Sequence, residues 1–154
     1  MRHWLFKSEP DVFGIEDLAR APRKTTSWDG VRNYQVRNLL RDEVRRGDLG
    51  FFYHSSCAVP GIAGIVEVVR EAHPDRSALD PGSPYHDPRA TRAEPIWLSV
   101  DVRLHRRFSR LISLEELRAH ADDVLAQMPL LRRGNRLSVT PVSESEWRHI
   151  LAME

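Results

Sequence analysis

The sequence predicts an α+β domain: a small mixed β-barrel decorated by short helices. Three observations carry this. Runs rich in β-branched and aromatic residues recur at 49–54, 61–69 and 96–104, as strands do. Helix-like stretches at 33–45, 113–120 and 143–151 lie at intervals between strands, and strands outnumber them. Gly61 and Gly64 stand inside the longest strand run, where small barrels need bends. A chain of 154 residues suits one domain over 1–154 with room for a proper core.

Taken in order, Trp4-Leu5-Phe6 reads as a short strand, and Pro10 biases Glu9 to an extended conformation as the chain leaves it. Residues 15–19 form a short helix ending near Pro22, and residues 23–27 are a polar approach to Trp28. In 33–45, Val36, Leu39, Leu40 and Val44 share one helical face, with Arg37, Arg41 and Arg45 opposite. Arg46-Gly47-Asp48 is a turn, then come the strands 49–54 and 61–69. Residues 72–95, with five prolines, read as a long irregular loop; Tyr85, His86 and Asp87 are its chemically interesting members. The strand 96–104 runs into the basic cluster Arg106, Arg107, Arg110. Ser113 with Glu116, and Ser143 with Glu146, are capping boxes that open helices. A short helix over 123–127, a basic turn at 130–137 and a strand at 138–140 complete the pattern.

Net charge is only +1, which excludes a histone-like polycation. Of 23 basic residues, 21 are Arg, the residue suited to bidentate phosphate and base contacts; a GC-rich genome would also supply them. The single cysteine, Cys57, excludes an internal disulfide and a cysteine-based zinc cluster, and fits a reducing cytoplasm. No run approaches the roughly 18 apolar residues of a membrane span, so no membrane partner is expected.

No phosphate-loop, dinucleotide, zinc-protease or serine-hydrolase motif is present. Glu9 or Asp29 with His54, or His86 with Asp87, could act as acid–base pairs, and His73, Asp75, His86 and Asp87 could be drawn into a metal site, but no spacing demands either. No cofactor or metal is expected. Binding features are richer. The stretch 27–34 joins Trp28, Asp29, Gly30, Arg32 and Asn33: a stacking face, two edge-reading groups and a guanidinium, which together suit a nucleobase. The competing reading has Trp28 in the core and Asn33 or Asp29 capping the next helix. Trp4, Tyr53 and Trp97 add aromatic faces, and arginine-rich segments at 32–46, 103–110 and 132–136 surround them in sequence.

Five stretches, 4–10, 28–35, 52–55, 60–64 and 131–138, resemble the EVE domain family in order and in register. That family belongs to the PUA-like superfamily, with YTH, ASCH and SRA-type readers. The resemblance implies a small twisted PUA-like barrel with surrounding helices and a pocket for a modified nucleobase. The implied ligand is modified cytosine in DNA, 5-methyl- or 5-hydroxymethylcytosine, ahead of a modified base in RNA. No catalysis is expected, and a partner nuclease or other effector would act on what is read, although no linker or tail points to one. Carried onto this chain, the pocket comprises Lys7, Ser8, Glu9, Trp28, Asp29, Asn33, Tyr53, His54 and Trp97, with Trp28 stacking on the base. Arg32, Arg37, Arg133, Asn135 and Arg136 would hold the nucleic-acid backbone or orient the pocket. Gly14 departs from the family, which commonly has a helix-capping Ser there.

Overall fold

The longest ladder joins β4 (Gly61–Pro74) to β5 (Leu98–Ser113), and both exceed the runs that sequence periodicity marks out. The computed structural model describes residues 1–154. Register shifts between Ile62 and Gly64 and further along bend this ladder. At Gly64 a Cβ would lie 2.5 Å from the Arg106 carbonyl oxygen, so the two strands approach there only because the side chain is absent. The sequence-predicted bend is therefore present.

The sheet has six strands in the order β2-β5-β4-β3-β1-β6. Here β1 is His3–Ser8, β2 is Thr25–Ser27, β3 is Leu49–His54 and β6 is Val139–Val142. Only β1 and β3 pair in parallel, and this sets the site: Lys7 sits opposite Tyr53 and Ser8 opposite His54, so the two strands leave the sheet side by side. The edge strands β2 and β6 are not bonded to each other, so the barrel is open. The mixed sheet with short helices is the α+β class that the sequence predicts.

Alternation along β1 and β3 divides the core. Trp4, Phe6 and Phe52 face α2 (Ile15–Arg20) and α3 (Tyr34–Asp42), with Leu18, Val36 and Leu40 buried against them. Leu5, Phe51 and Tyr53 face the other way, toward Leu117 of α5 (Leu114–Ala119) and Trp147 and Ile150 of α6 (Glu144–Met153). Each fully buried Leu, Ile or Phe contributes about 1.5–3 kcal/mol of transfer free energy. A third small cluster, Ala78, Ala90 and Trp97, holds the segment after β4 together. Both capping boxes form, Ser113 with Glu116 and Ser143 with Glu146.

Several sequence expectations change. The loop begins only after Pro74 and carries a turn of helix, α4 (Arg76–Leu79). Residues 123–127 form turns, not a helix. Residues 25–27, part of the polar approach to Trp28 in the sequence, make the edge strand β2, too short to show a period. A turn of helix, α1 (Pro10–Phe13), follows Glu9. The basic cluster 106–110 lies within β5, and its arginines reach out to helices and a helix end: Arg107 to Glu16, Arg110 to Glu116, and Arg106 to Glu154 just past α6. That segment is a set of struts. No helix is long and apolar enough to cross a membrane.

Candidate functional site

Trp28 extends the β2 ladder by one bond, its N–H donating to the Val100 carbonyl at 2.7 Å. Its ring turns inward, edge-on to Phe6 (5.3 Å between centroids) and to Phe52 (5.6 Å). Only 7% of the residue is exposed, and that remainder lines a cleft of about 530 Å³. The volume is of the size that small ligands occupy. Trp28 thus serves the core and the cleft together.

Six sequence-predicted residues meet in this cleft: Lys7, Ser8, Glu9, Trp28, Asp29 and Arg136. Asp29 accepts the Ser99 hydroxyl on Oδ1 at 2.5 Å, and its Oδ2 accepts no hydrogen bond from the protein. Asp29 is exposed along part of its length. Crowding nonetheless desolvates its carboxyl and pushes its pKa above the ordinary carboxylate value, against the Ser99 bond and with help from nearby Asp75. Ser8 donates its hydroxyl to the Phe13 carbonyl at 2.6 Å and keeps its acceptor lone pairs. Burial lowers the Lys7 pKa, and the ammonium has no carboxylate partner.

The far wall is Tyr85, which the sequence marks only as a loop member of chemical interest. Gly30 adopts φ +83°, and a Cβ there would lie 3.0 Å from the Tyr85 ring. The ring therefore rests on bare backbone. Beneath it, the fully buried Asp75 carboxylate accepts from Gly30 N–H (2.9 Å), Arg32 Nη1 (2.9 Å) and Ser77 N–H (2.8 Å). Burial raises the Asp75 pKa, but the Ser77 hydroxyl, which donates to Oδ1 at 2.5 Å, and the Gly30 and Arg32 bonds outweigh it and hold the group below the ordinary carboxylate range.

Other predicted site residues lie outside this cleft and bond groups of the protein itself. Arg32 is spent on Asp75 and donates from Nε and Nη2 to the Tyr85 carbonyl at 3.1 and 2.5 Å, so it latches the loop and is not free for phosphate. Arg37 donates to Asn38 Oδ1 and to the Ile96 carbonyl, and lies over the Tyr34 ring. Asn33 caps α3, its Oδ1 accepting Val36 N–H at 3.1 Å, and does not line the cleft. Trp97 is buried in the loop's own small core, donating Nε1–H to Asp87 Oδ2 at 2.8 Å. His54 Nε2 accepts the Ile15 N–H at 3.1 Å, and no hydrogen bond joins it to Glu9 or Asp29. The helix-capping reading holds for Asn33, and His54 supplies an acceptor where Gly14 has no side chain.

Tyr53 opens onto a neighbouring cleft of about 550 Å³, which shares Lys7, Ser55 and Ser56 with the first. Burial pushes its phenol up to about 12. Arg133 and Asn135 line this second space. Asn135 shapes the turn, accepting Leu137 N–H at 3.0 Å, while the Arg133 and Arg136 guanidinium groups are exposed and carry no ion pair or side-chain hydrogen bond. His73 pairs with Asp101, Asp75 with Arg32 and Asp87 with Arg89; these groups do not converge on a metal position.

The chain matches known proteins along nearly its whole length. The human protein "Thymocyte nuclear protein 1" is 41% identical over 167 residues, covering 99% of this chain and 73% of that protein. The crystal structure of human THYN1 protein in complex with 5-methylcytosine-containing DNA aligns with a TM-score of 0.94 at 41% identity, covering 99% of this chain and 97% of that one. A crystal structure from Pseudomonas putida aligns with a TM-score of 0.92 at 50% identity over 98% of both chains. A family model described as "EVE domain" matches residues 2–153, and with these relatives it shows that the chain belongs to the EVE domain family.

Proposed function

We propose that this protein binds a modified cytosine of DNA in the Trp28–Asp29–Tyr85 cleft and does no chemistry on it. The observation that carries the reading is the unpartnered Oδ2 of Asp29 in a cleft bounded by two aromatic side chains. Cytosine presents an exocyclic N–H donor, and an acidic side chain is its natural acceptor. The likeness to human THYN1, crystallised with 5-methylcytosine-containing DNA, supports the choice of base and of nucleic acid.

A base within a duplex hides both faces, so it must be taken flipped or single-stranded, at a cost of a few kcal/mol. Stacking on an aromatic side chain returns about 1–3 kcal/mol. The exposed Arg133 and Arg136 beside the two clefts supply phosphate contacts in this reading. Lys7, its charge lightly held by burial, stands between them. A reader of this kind delivers a bound base to an effector protein such as a nuclease. The occupied Nε2 of His54 argues against its use as a general base.

The test is fluorescence anisotropy with oligonucleotides carrying cytosine, 5-methylcytosine, 5-hydroxymethylcytosine or N6-methyladenine, as DNA and as RNA, at fixed salt. One methyl group is worth roughly 10–200-fold, so preference for a modified cytosine in DNA should fall in that range. Asp29→Asn should weaken binding to every cytosine-bearing oligonucleotide, modified or not, because the exocyclic N–H is common to them and the amide no longer offers a charged acceptor. Equal binding to every oligonucleotide would overturn the reading, and preference for the RNA series would move it to RNA.

A further inference from the structure

Ion pairing sorts the arginines of this chain. Ten of the 21 are tied to carboxylates. Among those with no ion pair or side-chain hydrogen bond, Arg118, Arg132, Arg133 and Arg136 stand around the two clefts already described. A second group, Arg70, Arg76 and Arg92, converges elsewhere, on a separate cavity of about 650 Å³ beside α4. All three are exposed. The one carboxylate lining that cavity, Asp80, turns its Oδ1 to the Gly82 N–H. His73 also lines it but is held by Asp101.

The position matters as much as the charge. Ser27, which lines the first cleft, donates its hydroxyl to Asp101 Oδ1 at 2.6 Å, and the same oxygen is 2.8 Å from His73 Nε2. Asp75 holds Gly30 on the first cleft, while its chain neighbours Pro74 and Arg76 line the second cavity. The two spaces thus share one wall of hydrogen-bonded residues.

We infer that Arg70, Arg76 and Arg92 form a second phosphate-contact surface, which holds the sugar–phosphate backbone of DNA flanking the base in the Trp28 cleft. The inference rests on the base-binding reading for its partner. Its contribution is affinity without sequence or modification preference, since phosphate contacts position and carry no base information.

The test is a salt titration of duplex binding, with cytosine or 5-methylcytosine at one position, for wild type and for Arg70→Gln/Arg76→Gln/Arg92→Gln. Each neutralised phosphate contributes about 0.9 to the log–log salt slope, so three contacts steepen it by about 2.7. Between 50 and 200 mM salt the wild type should lose roughly 40-fold more affinity than the triple variant. The ratio between modified and unmodified duplex should stay unchanged. Equal slopes in both proteins would overturn the inference, and protection of only the wild type against thermal unfolding by inorganic pyrophosphate would in that case assign the cavity to a small phosphate ligand. A flattened slope with no modified-base preference in either protein would sustain this surface and sink the base reading alone.

Discussion

Arg32 Nη1 lies 2.9 Å from Asp75 Oδ2, and the same guanidinium donates twice to the Tyr85 carbonyl. One side chain thus ties the end of β4 to the loop that walls the cleft. Asp75 is fully buried and Arg32 a quarter exposed. Asp75→Ala would strand the guanidinium, the Gly30 N–H and Ser77 together. Removing one partner of such a pair costs about 3–5 kcal/mol. Arg32→Lys keeps the charge but loses the fork that spans Asp75 and Tyr85. Urea unfolding should show the large loss for Asp75→Ala. Hydrogen exchange should show faster opening of residues 80–90 in Arg32→Lys with the rest of the sheet unchanged. Exchange in that loop equal to wild type would refute the latch.

Gly30 and Tyr85 make a second dependent pair. Gly30→Ala places a residue in the left-handed region, at about 1–2 kcal/mol, and drives a methyl against the Tyr85 ring. The second cost vanishes where Tyr85 is removed. A double-mutant cycle of Gly30→Ala with Tyr85→Ala should therefore give a coupling of about 0.5–3 kcal/mol. Additive effects would mean the ring moves aside freely.

Trp28 is largely a core residue, so its truncation is primarily a stability experiment. Trp28→Ala should cost about 3–5 kcal/mol in denaturant unfolding, because Phe6 and Phe52 lose their edge contacts. A loss of binding in that variant would then not isolate stacking. Trp28→Phe retains the apolar body and is the cleaner probe of the cleft. A cost below about 1 kcal/mol for Trp28→Ala would show that the ring is not structural.

These residues show what the sequence could disclose. Strand and helix periods, the two capping boxes and the Gly64 bend are local signals, and they survive folding. Roles that depend on distant partners were not legible. Residue type offers Arg32 and Arg37 to a nucleic-acid backbone or to the pocket wall, and their partners in the fold, Asp75 and the Ile96 carbonyl, lie 43 and 59 residues away in the chain. Asn33 offered two readings, and the cap won because Val36 N–H is three residues away and needs an acceptor. Tyr85 was hidden because its wall position depends on the path of a whole loop. Glycine as a residue type permits the positive φ at Gly30, but the Tyr85 ring that requires a bare backbone there is distant in sequence.

His54 gives a pH dependence with a definite sign. Its Nε2 accepts the N–H of Ile15, the first residue of α2, where the preceding Gly14 has no capping side chain. Only neutral imidazole can accept this bond. Burial lowers the His54 pKa from 6.5, and Glu16 pulls it partly back. The unfolded chain therefore takes up this proton first as pH falls. The contribution to stability is complete above about pH 6.5 and is lost progressively from there down to the lowered folded value. His54→Gln keeps an acceptor and removes the titration. Wild type should melt at a lower temperature near pH 5 than near pH 7.5, and this difference should shrink in His54→Gln. An identical pH dependence in the two proteins would show that Ile15 draws no stability from the neutral ring.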